Sequence, residues 1–262
     1  MRSTINAITN GKQKGGAQMR KLSNENLILL DALIYAISDA EFLSIKEQTI
    51  QTILEMAKKK LKANQLPIMI GQSGWASLLN AIQPNYWLCA HRIVAVYHDE
   101  LATAFVLESP TQTNYTLIFR GTVNLVEWWD NLKSMVISTE VYEKVRDFVN
   151  ELPEEYGDLL VSGHSRGGKF AVYTAIVCPR IEQAVAVNTP GFSAEFIVKH
   201  RARIDANQAK IEYLDQPGDI VHFLGVRLPG NVIILHNSQE TLSPYRNHMP
   251  DVMLDSYGRF LN

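Results

Sequence analysis

Asp158-Leu159-Leu160-Val161-Ser162-Gly163-His164-Ser165-Arg166-Gly167-Gly168-Lys169-Phe170-Ala171-Val172-Tyr173-Thr174-Ala175-Ile176 carries three successive textures: an apolar run, a glycine-flanked polar corner, and an apolar stretch at helical spacing. The first five residues read as a buried strand and the last eight as a helix with an apolar face, so Gly163 to Gly167 turns a strand sharply into a helix. Gly-x-Ser-x-Gly alone recurs by chance in roughly one chain in ten of this length, and the strand and helix around it give it weight. Side chains at 163 and 167 would collide where strand and helix approach, and Gly168 relaxes the same corner further. Ser165 is thereby expected in a strained backbone conformation, its hydroxyl at the amino end of a helix, where free amides and the helix dipole favour developing negative charge. Those are the requirements of a nucleophile, and Ser165 is the candidate.

Upstream, residues 93–97, 103–107 and 115–119 are short β-branched and aromatic runs separated by His98-Asp99-Glu100 and Ser109-Pro110-Thr111. They read as consecutive strands, the first two a hairpin. Val141, Val145, Phe148, Val149 and Leu152 share one face of a helix expected over 140–152. Downstream of it come a strand at 159–162, a helix at 167–177, a strand at 184–188, a helix at 194–204, and strands at 211–214 and 232–235. Strands alternating with helices specify an α/β class with a parallel or mostly parallel central sheet and helices on both faces. At the N-terminus, Leu27, Leu30, Leu33, Ile34 and Ile37 fall at helical spacing behind a Ser23 or Asn24 cap. A second helix is expected from Ser44, with Glu47 completing a capping box and a stripe of Ile50, Ile53, Leu54, Ala57 and Leu61. Residues 23–62 thus read as an N-terminal helical lead-in packed on the main domain, with a third, shorter helix at 75–82.

A chain of 262 residues, 46% hydrophobic, is long enough for one large core, and residues 23–262 are expected to form a single domain. The net charge of −2 gives no case for a nucleic-acid partner. Cys89 and Cys178 each sit in an apolar stretch and read as buried free thiols. The first 22 residues carry no acidic side chain and no apolar signal-peptide core. Arg2, Lys12, Lys14, Arg20 and Lys21 admit an organelle leader, but a disordered tail is the more economical reading, and Met19 is an alternative start. No run approaches the roughly 18 apolar residues of a membrane span, so a soluble, cytoplasmic chain is expected. Neither His-x-x-x-His, Cys-x-x-Cys nor a Gly-rich phosphate loop occurs, and no metal or organic cofactor is implied. Oligomeric state is not encoded in any pattern.

The strand at 115–119 runs into Arg120-Gly121-Thr122, then Glu127-Trp128-Trp129-Asp130-Asn131. Phe119-Arg120-Gly121-Thr122 with Trp128-Trp129-Asp130-Asn131, then Ser162 to Gly168, and Asn188-Thr189-Pro190-Gly191-Phe192-Ser193, resemble the class 3 lipase-like hydrolases, nearest the bacterial Mbeg1-like (DUF2974-type) group. The resemblance covers about residues 26–262, with its motifs between 119 and 248. It implies an α/β-hydrolase fold, a Ser-Asp-His triad and acyl-ester hydrolysis. In that architecture one oxyanion amide belongs to the residue after the nucleophile, here Arg166, and another to the loop after an earlier strand, where Thr122 stands and Gly121 lets the backbone approach. Arg120 reads as a structural ion-pair or hydrogen-bonding residue.

The acid and then the base follow the serine in chain order in such hydrolases. Asp219, in the turn Gln216-Pro217-Gly218-Asp219 past a strand, is the first choice of acid, with Asp215 second. His248, beyond the last strand in Tyr245-Arg246-Asn247-His248-Met249-Pro250, is the first choice of base and matches the resembled group's C-terminal histidine; His236 is the alternative. His222 reads as packing in segment 220–224, and His164 as a structural residue of the corner. Trp87, Trp128, Trp129 and Tyr245 could line an acyl pocket, though large aromatics are more often core. The expected partner is a small acyl ester or lipid. A thioesterase or amidase of the same fold, or a non-catalytic binding protein using residues 26–62 as a docking surface, are the competing readings.

Overall fold

Along residues 104–107, Ala104 and Val106 enter one apolar core while Phe105 and Leu107 enter another, the two-residue alternation of a strand buried on both faces. The computed structural model describes residues 21–123, 139–236 and 243–261. Seven strands form one sheet in chain order: β1 Arg92–His98, β2 Thr103–Glu108, β3 Tyr115–Phe119, β4 Leu159–His164, β5 Ile181–Val187, β6 Ile211–Asp215 and β7 Asn231–Ile234. β1, β2 and β3 pair antiparallel, and every pairing from β3 to β7 is parallel. The helices are α1 Asn24–Leu33, α2 Asp39–Phe42, α3 Ile50–Lys62, α4 Gln72–Ile82, α5 Tyr86–Cys89, α6 Thr139–Glu151, α7 Arg166–Val177, α8 Ala194–Asn207 and α9 Pro244–His248. α1, α3 and α4 close one face of the sheet, and α6, α7 and α8 close the other. This is an α/β-hydrolase fold with a mostly parallel sheet covered on both sides.

The N-terminal region departs from its expected form in two ways. Its second long helix starts at Ile50, capped by the Thr49 hydroxyl accepting from the Thr52 amide, six residues after Ser44. Glu47 takes a left-handed φ of 68° and its amide donates to the Ile93 carbonyl, so the chain is tied to β1 where the expected helix would have begun. A capping box does form, at Ser38 and Glu41, while the Ser44 hydroxyl donates to the Glu41 carbonyl. Secondly, α1 is no accessory: all seven residues Leu27–Leu33 are buried, and Asp31 among them lies under β4. Ser23 caps α1 as expected.

Cys89 and Cys178 are buried free thiols. Among the described residues no helix is long and apolar enough to cross a membrane. The N-terminal tail and the Trp128-Trp129-Asp130-Asn131 motif lie outside the described residues, apart from Lys21 and Leu22 at the end of the tail.

Candidate active site

Ser165 joins β4 to α7 with φ 58° and ψ −125°, a backbone conformation that a side chain reaches only when its surroundings impose it. Close packing imposes it here. An alanine Cβ at Gly163 would lie 2.3 Å from the Gly167 carbonyl carbon, and one at Gly167 would lie 2.3 Å from the Phe119 carbonyl oxygen. The helix therefore presses on both β4 and the end of β3. The Ser165 amide donates to the Val187 carbonyl (2.8 Å), and the Thr189 hydroxyl donates to the Ser165 carbonyl (3.0 Å), fixing the corner to β5 and the loop after it.

The loop after β3 reaches the same corner. A Cβ at Gly121 would stand 2.7 Å from the His164 carbonyl oxygen and 3.2 Å from Ser165 Cβ, a contact that only glycine permits. Thr122, half-buried, follows directly. Arg166 is the first residue of α7, with its guanidinium 5.6 Å from the centroid of the Phe170 ring. Arg120 acts as expected of a structural residue: it donates to the Ile37 carbonyl (2.9 Å) and Thr103 Oγ1 (3.3 Å) and pairs with Asp39.

Asp219 and His248 meet although 29 residues separate them. His248 Nδ1 is 3.1 Å from both carboxylate oxygens of Asp219, and both residues are buried. A carboxylate only accepts, so Nδ1 carries the hydrogen and the neutral imidazole presents Nε2 as its basic nitrogen. Burial opposes ionisation of Asp219, but the His248 charge, His222 and the Val221 amide outweigh it and hold the carboxyl below its ordinary range. His222 Nδ1 stands 3.8 Å from Asp219 Oδ2, too far for a hydrogen bond, and so acts as a nearby dipole or charge weaker than His248. The alternatives lie elsewhere. Asp215 is 2.5 Å from the Arg227 guanidinium, and His236 is exposed just past β7.

His248 ends the short helix α9, where the sequence suggested a loop; Pro244 at its first turn and the Ser243 cap start it. Two bonds hold α9 against the corner, and an ion pair braces it on the turn that follows. His164 Nε2 donates to the His248 carbonyl (2.7 Å), Asn188 Nδ2 donates to the same oxygen (3.0 Å), and the Arg246 guanidinium clasps both carboxylate oxygens of Asp251. Asn188 has φ 45°, and its Oδ1 accepts from the Gln216 amide (3.1 Å), so one side chain ties the ends of β5 and β6 to the histidine loop. The sequence placed this residue in a resemblance motif at a strand end without a role of its own. Its signal was an asparagine at a strand end, the type that best tolerates left-handed backbone.

The other overlooked residue is Tyr35, just after α1. Because His164 Nε2 donates, its Nδ1 accepts, and the donor is Tyr35 Oη at 2.9 Å; the Gly121 amide is hydrogen-bonded to the same oxygen. Burial, then the proximity of His248, push the His164 pKa down to about 3, so this histidine stays neutral. One hydroxyl thus links the Gly121 loop, the residue before Ser165 and, through His164, the His248 backbone. Tyr35→Phe should lower kcat roughly tenfold through small misplacement and cost about 1–3 kcal/mol of stability from the two orphaned partners, checked by ester kinetics and urea unfolding.

Asp31, fully buried, accepts from the Ser162 hydroxyl at 2.7 Å. Burial raises its pKa well above the usual carboxylate range. A folded pKa above the unfolded one gives a contribution intact below the unfolded value, about 3.9, and lost as pH rises through the folded value. Unfolding free energy should therefore slope downward with pH by at most about 1.4 kcal/mol per unit from this group. Asp31→Asn should flatten that slope, gaining on the wild type in urea midpoints as pH rises above the unfolded carboxylate range.

Comparison with known proteins adds the following. Similar solved structures include the Lip2 lipase of Yarrowia lipolytica, at 15% identity and a TM-score of 0.44 over 55% of this chain and 67% of that one. A triacylglycerol lipase of Penicillium expansum is similar at 16% identity and 0.40, over 56% and 70%. A Rhizomucor miehei lipase in complex with its propeptide is similar at 14% and 0.37, over 84% and 85%. No curated protein matches the chain. Residues 95–242, from within β1 through Ser165 and Asp219, match a phospholipase-like family model, and with more than half of its length inside that match the chain belongs to the family of the Tle-like phospholipase domain.

Proposed function

We propose that the chain is a serine hydrolase of lipid acyl esters, with Ser165 as nucleophile, His248 as general base and acid, and Asp219 as the group that orients His248. The observation that carries this reading is the meeting of a left-handed Ser165 at a strand-to-helix corner with an Asp219-bound His248 whose carbonyl is bonded to the residue before that serine. Ser165 Oγ attacks the acyl carbonyl as its proton passes to His248 Nε2, and the imidazolium is stabilised by the Asp219 carboxylate. The amides of Thr122 and Arg166 receive the oxyanion; the approach of Gly121 to Ser165 and the start of α7 at Arg166 support that assignment. The leaving alcohol takes the proton back from Nε2, and water, deprotonated by the same nitrogen, releases the acyl group.

Family membership supports phospholipids as the ester class, and the motifs quoted above support the Mbeg1-like group within the wider class 3 lipase-like set. Residues 23–262 are read as one catalytic domain, since the helices before β1 share an apolar core with residues of the sheet. A fluorophosphonate probe with a panel of esters, thioesters and amides tests the reading. Labelling that Ser165→Ala abolishes, with the highest kcat/KM on esters, is the expected result. Failure of the folded protein to label would favour a binding module, and a preference for thioesters or amides would move the activity within the same fold.

A further inference from the structure

A cavity of about 520 Å³ opens between α6, α7 and α8, and neither Ser165, Asp219 nor His248 lines it. Its volume is that of a small-molecule site. Four aromatic rings form its walls: Tyr142 and Tyr173 lie 4.4 Å apart, as do Phe192 and Phe196. Its charge is unbalanced. Among the described residues Arg146, Lys169, Lys199 and Arg203 line it against the two acids Glu143 and Glu195. Arg146 is itself paired with Asp147, while Asp205, the acid nearest Arg203 in sequence, is engaged by Arg201. Neither Lys199 nor Arg203 forms an ion pair with a described residue. Lys169 is buried, its ammonium 5.2 Å from the centroid of the Phe192 ring, and burial together with Arg166 pushes its pKa down to about 8.

The cavity is also tied to the corner at both ends. Lys169 follows Ser165 by four residues on α7, about 6 Å of helical rise, and its amide donates to the Ser165 carbonyl (3.3 Å). Thr189, bonded to the same carbonyl, leads within three residues to Phe192 in the cavity wall. These bonds set two parts of the cavity wall, Lys169 and the segment leading to Phe192, within about one helical turn of the Ser165 backbone. Arg203 supplies a planar donor fork and Lys199 a point charge, a pair suited to the oxygens of a phosphate, while the rings accommodate the carbon skeleton beside it.

We propose that this cavity is a headgroup subsite that holds a phosphate, selecting amphiphiles of net negative charge over neutral ones, with Lys199 and Arg203 as its principal contacts. The proposal rests on the ester-hydrolase reading of Ser165, and its test keeps the two apart. Isothermal titration of the full chain with glycerol 1-phosphate and with inorganic phosphate reads the subsite without catalysis. Hydrolysis of phosphatidylglycerol and of diacylglycerol in the same detergent micelles reads its use. The double variant Lys199→Ala/Arg203→Ala, with folding checked by circular dichroism, should weaken glycerol 1-phosphate binding at least tenfold and lower the phosphatidylglycerol-to-diacylglycerol ratio of kcat/KM by a similar factor. Arg203→Lys should restore part of both. No binding of either phosphate compound, or binding that the double variant leaves intact, overturns the subsite. Inorganic phosphate binding as tightly as glycerol 1-phosphate, with an unchanged lipid ratio, would make it a site for free phosphate and overturn the headgroup assignment. Absence of ester hydrolysis and of fluorophosphonate labelling would instead sink the catalytic reading, while the titrations still decide whether the cavity binds phosphate.

Discussion

Alanine at Ser165 or at His248 should each lower kcat for p-nitrophenyl butyrate by on the order of 10⁴-fold or more, and the double variant should lose no more than either alone. Nucleophile and base act in one step, so removing either removes the same transition state. The His248 substitution is a clean test because of how α9 is held. Its anchors to His164 and Asn188 are both on the His248 carbonyl, which alanine keeps, and the Arg246 clasp on Asp251 does not involve the imidazole. What His248→Ala does remove is the partner of Asp219, whose carboxyl should then titrate higher than in the wild type because its largest lowering influence is gone. The folded wild-type carboxyl is depressed, so its contribution to stability is present above about pH 3.9 and fades as pH falls toward the folded value. His248→Ala should lose that advantage at neutral pH, which acid and urea unfolding curves will register. Full activity in Ser165→Ala would remove the corner from the chemistry altogether.

The second large effect is structural. Gly167→Ala should destabilise the fold by about 3 kcal/mol or more, a drop of roughly 6–12 °C in Tm for a chain of this size, and Gly163→Ala should behave alike. In both cases the new methyl meets backbone rather than a side chain able to move aside: the Phe119 carbonyl for 167, and Gly167 itself for 163. Relief requires α7 to lift from the sheet, which would also carry Ser165 out of place. Gly71 provides the control, since nothing lies within 4 Å of a Cβ built there, and alanine at that helix cap should cost within about 1 kcal/mol. Differential scanning calorimetry of the three variants separates close packing from loss of glycine flexibility alone.

The strands and the long helices after Arg92 were legible because each announces itself within a few residues. Residues 115–119 were bounded as β3 from their β-branched and aromatic run alone, and the corner from the spacing of two glycines about a serine. Local signals failed where a distant contact decides. The capping pattern at Ser44 and Glu47 is sound chemistry, yet the bond from the Glu47 amide to Ile93 overrides it. Tyr35 received no role in the sequence, because its partner His164 lies 129 residues away. His222 was assigned to packing, and the three-residue step that sets it beside Asp219 becomes meaningful only once Asp219 is known to be buried. The choice between Asp219 and Asp215 could not be made from spacing, because what separates them in space is Arg227 on one and His248 on the other.

Tyr35, His164 and His248 together make the Ser165 corner a late event in the life of each molecule. Their contacts span 129 and 84 residues, so a ribosome that has released the corner and even β7 has still made a chain without its histidine. Contacts of such separation close slowly and close last. The hydrophobic helix α1 must wait until β4, the strand it covers, has been made, a period in which chaperone binding has most to protect. Ester turnover during in vitro translation should therefore appear only after the segment carrying His248 has left the exit tunnel.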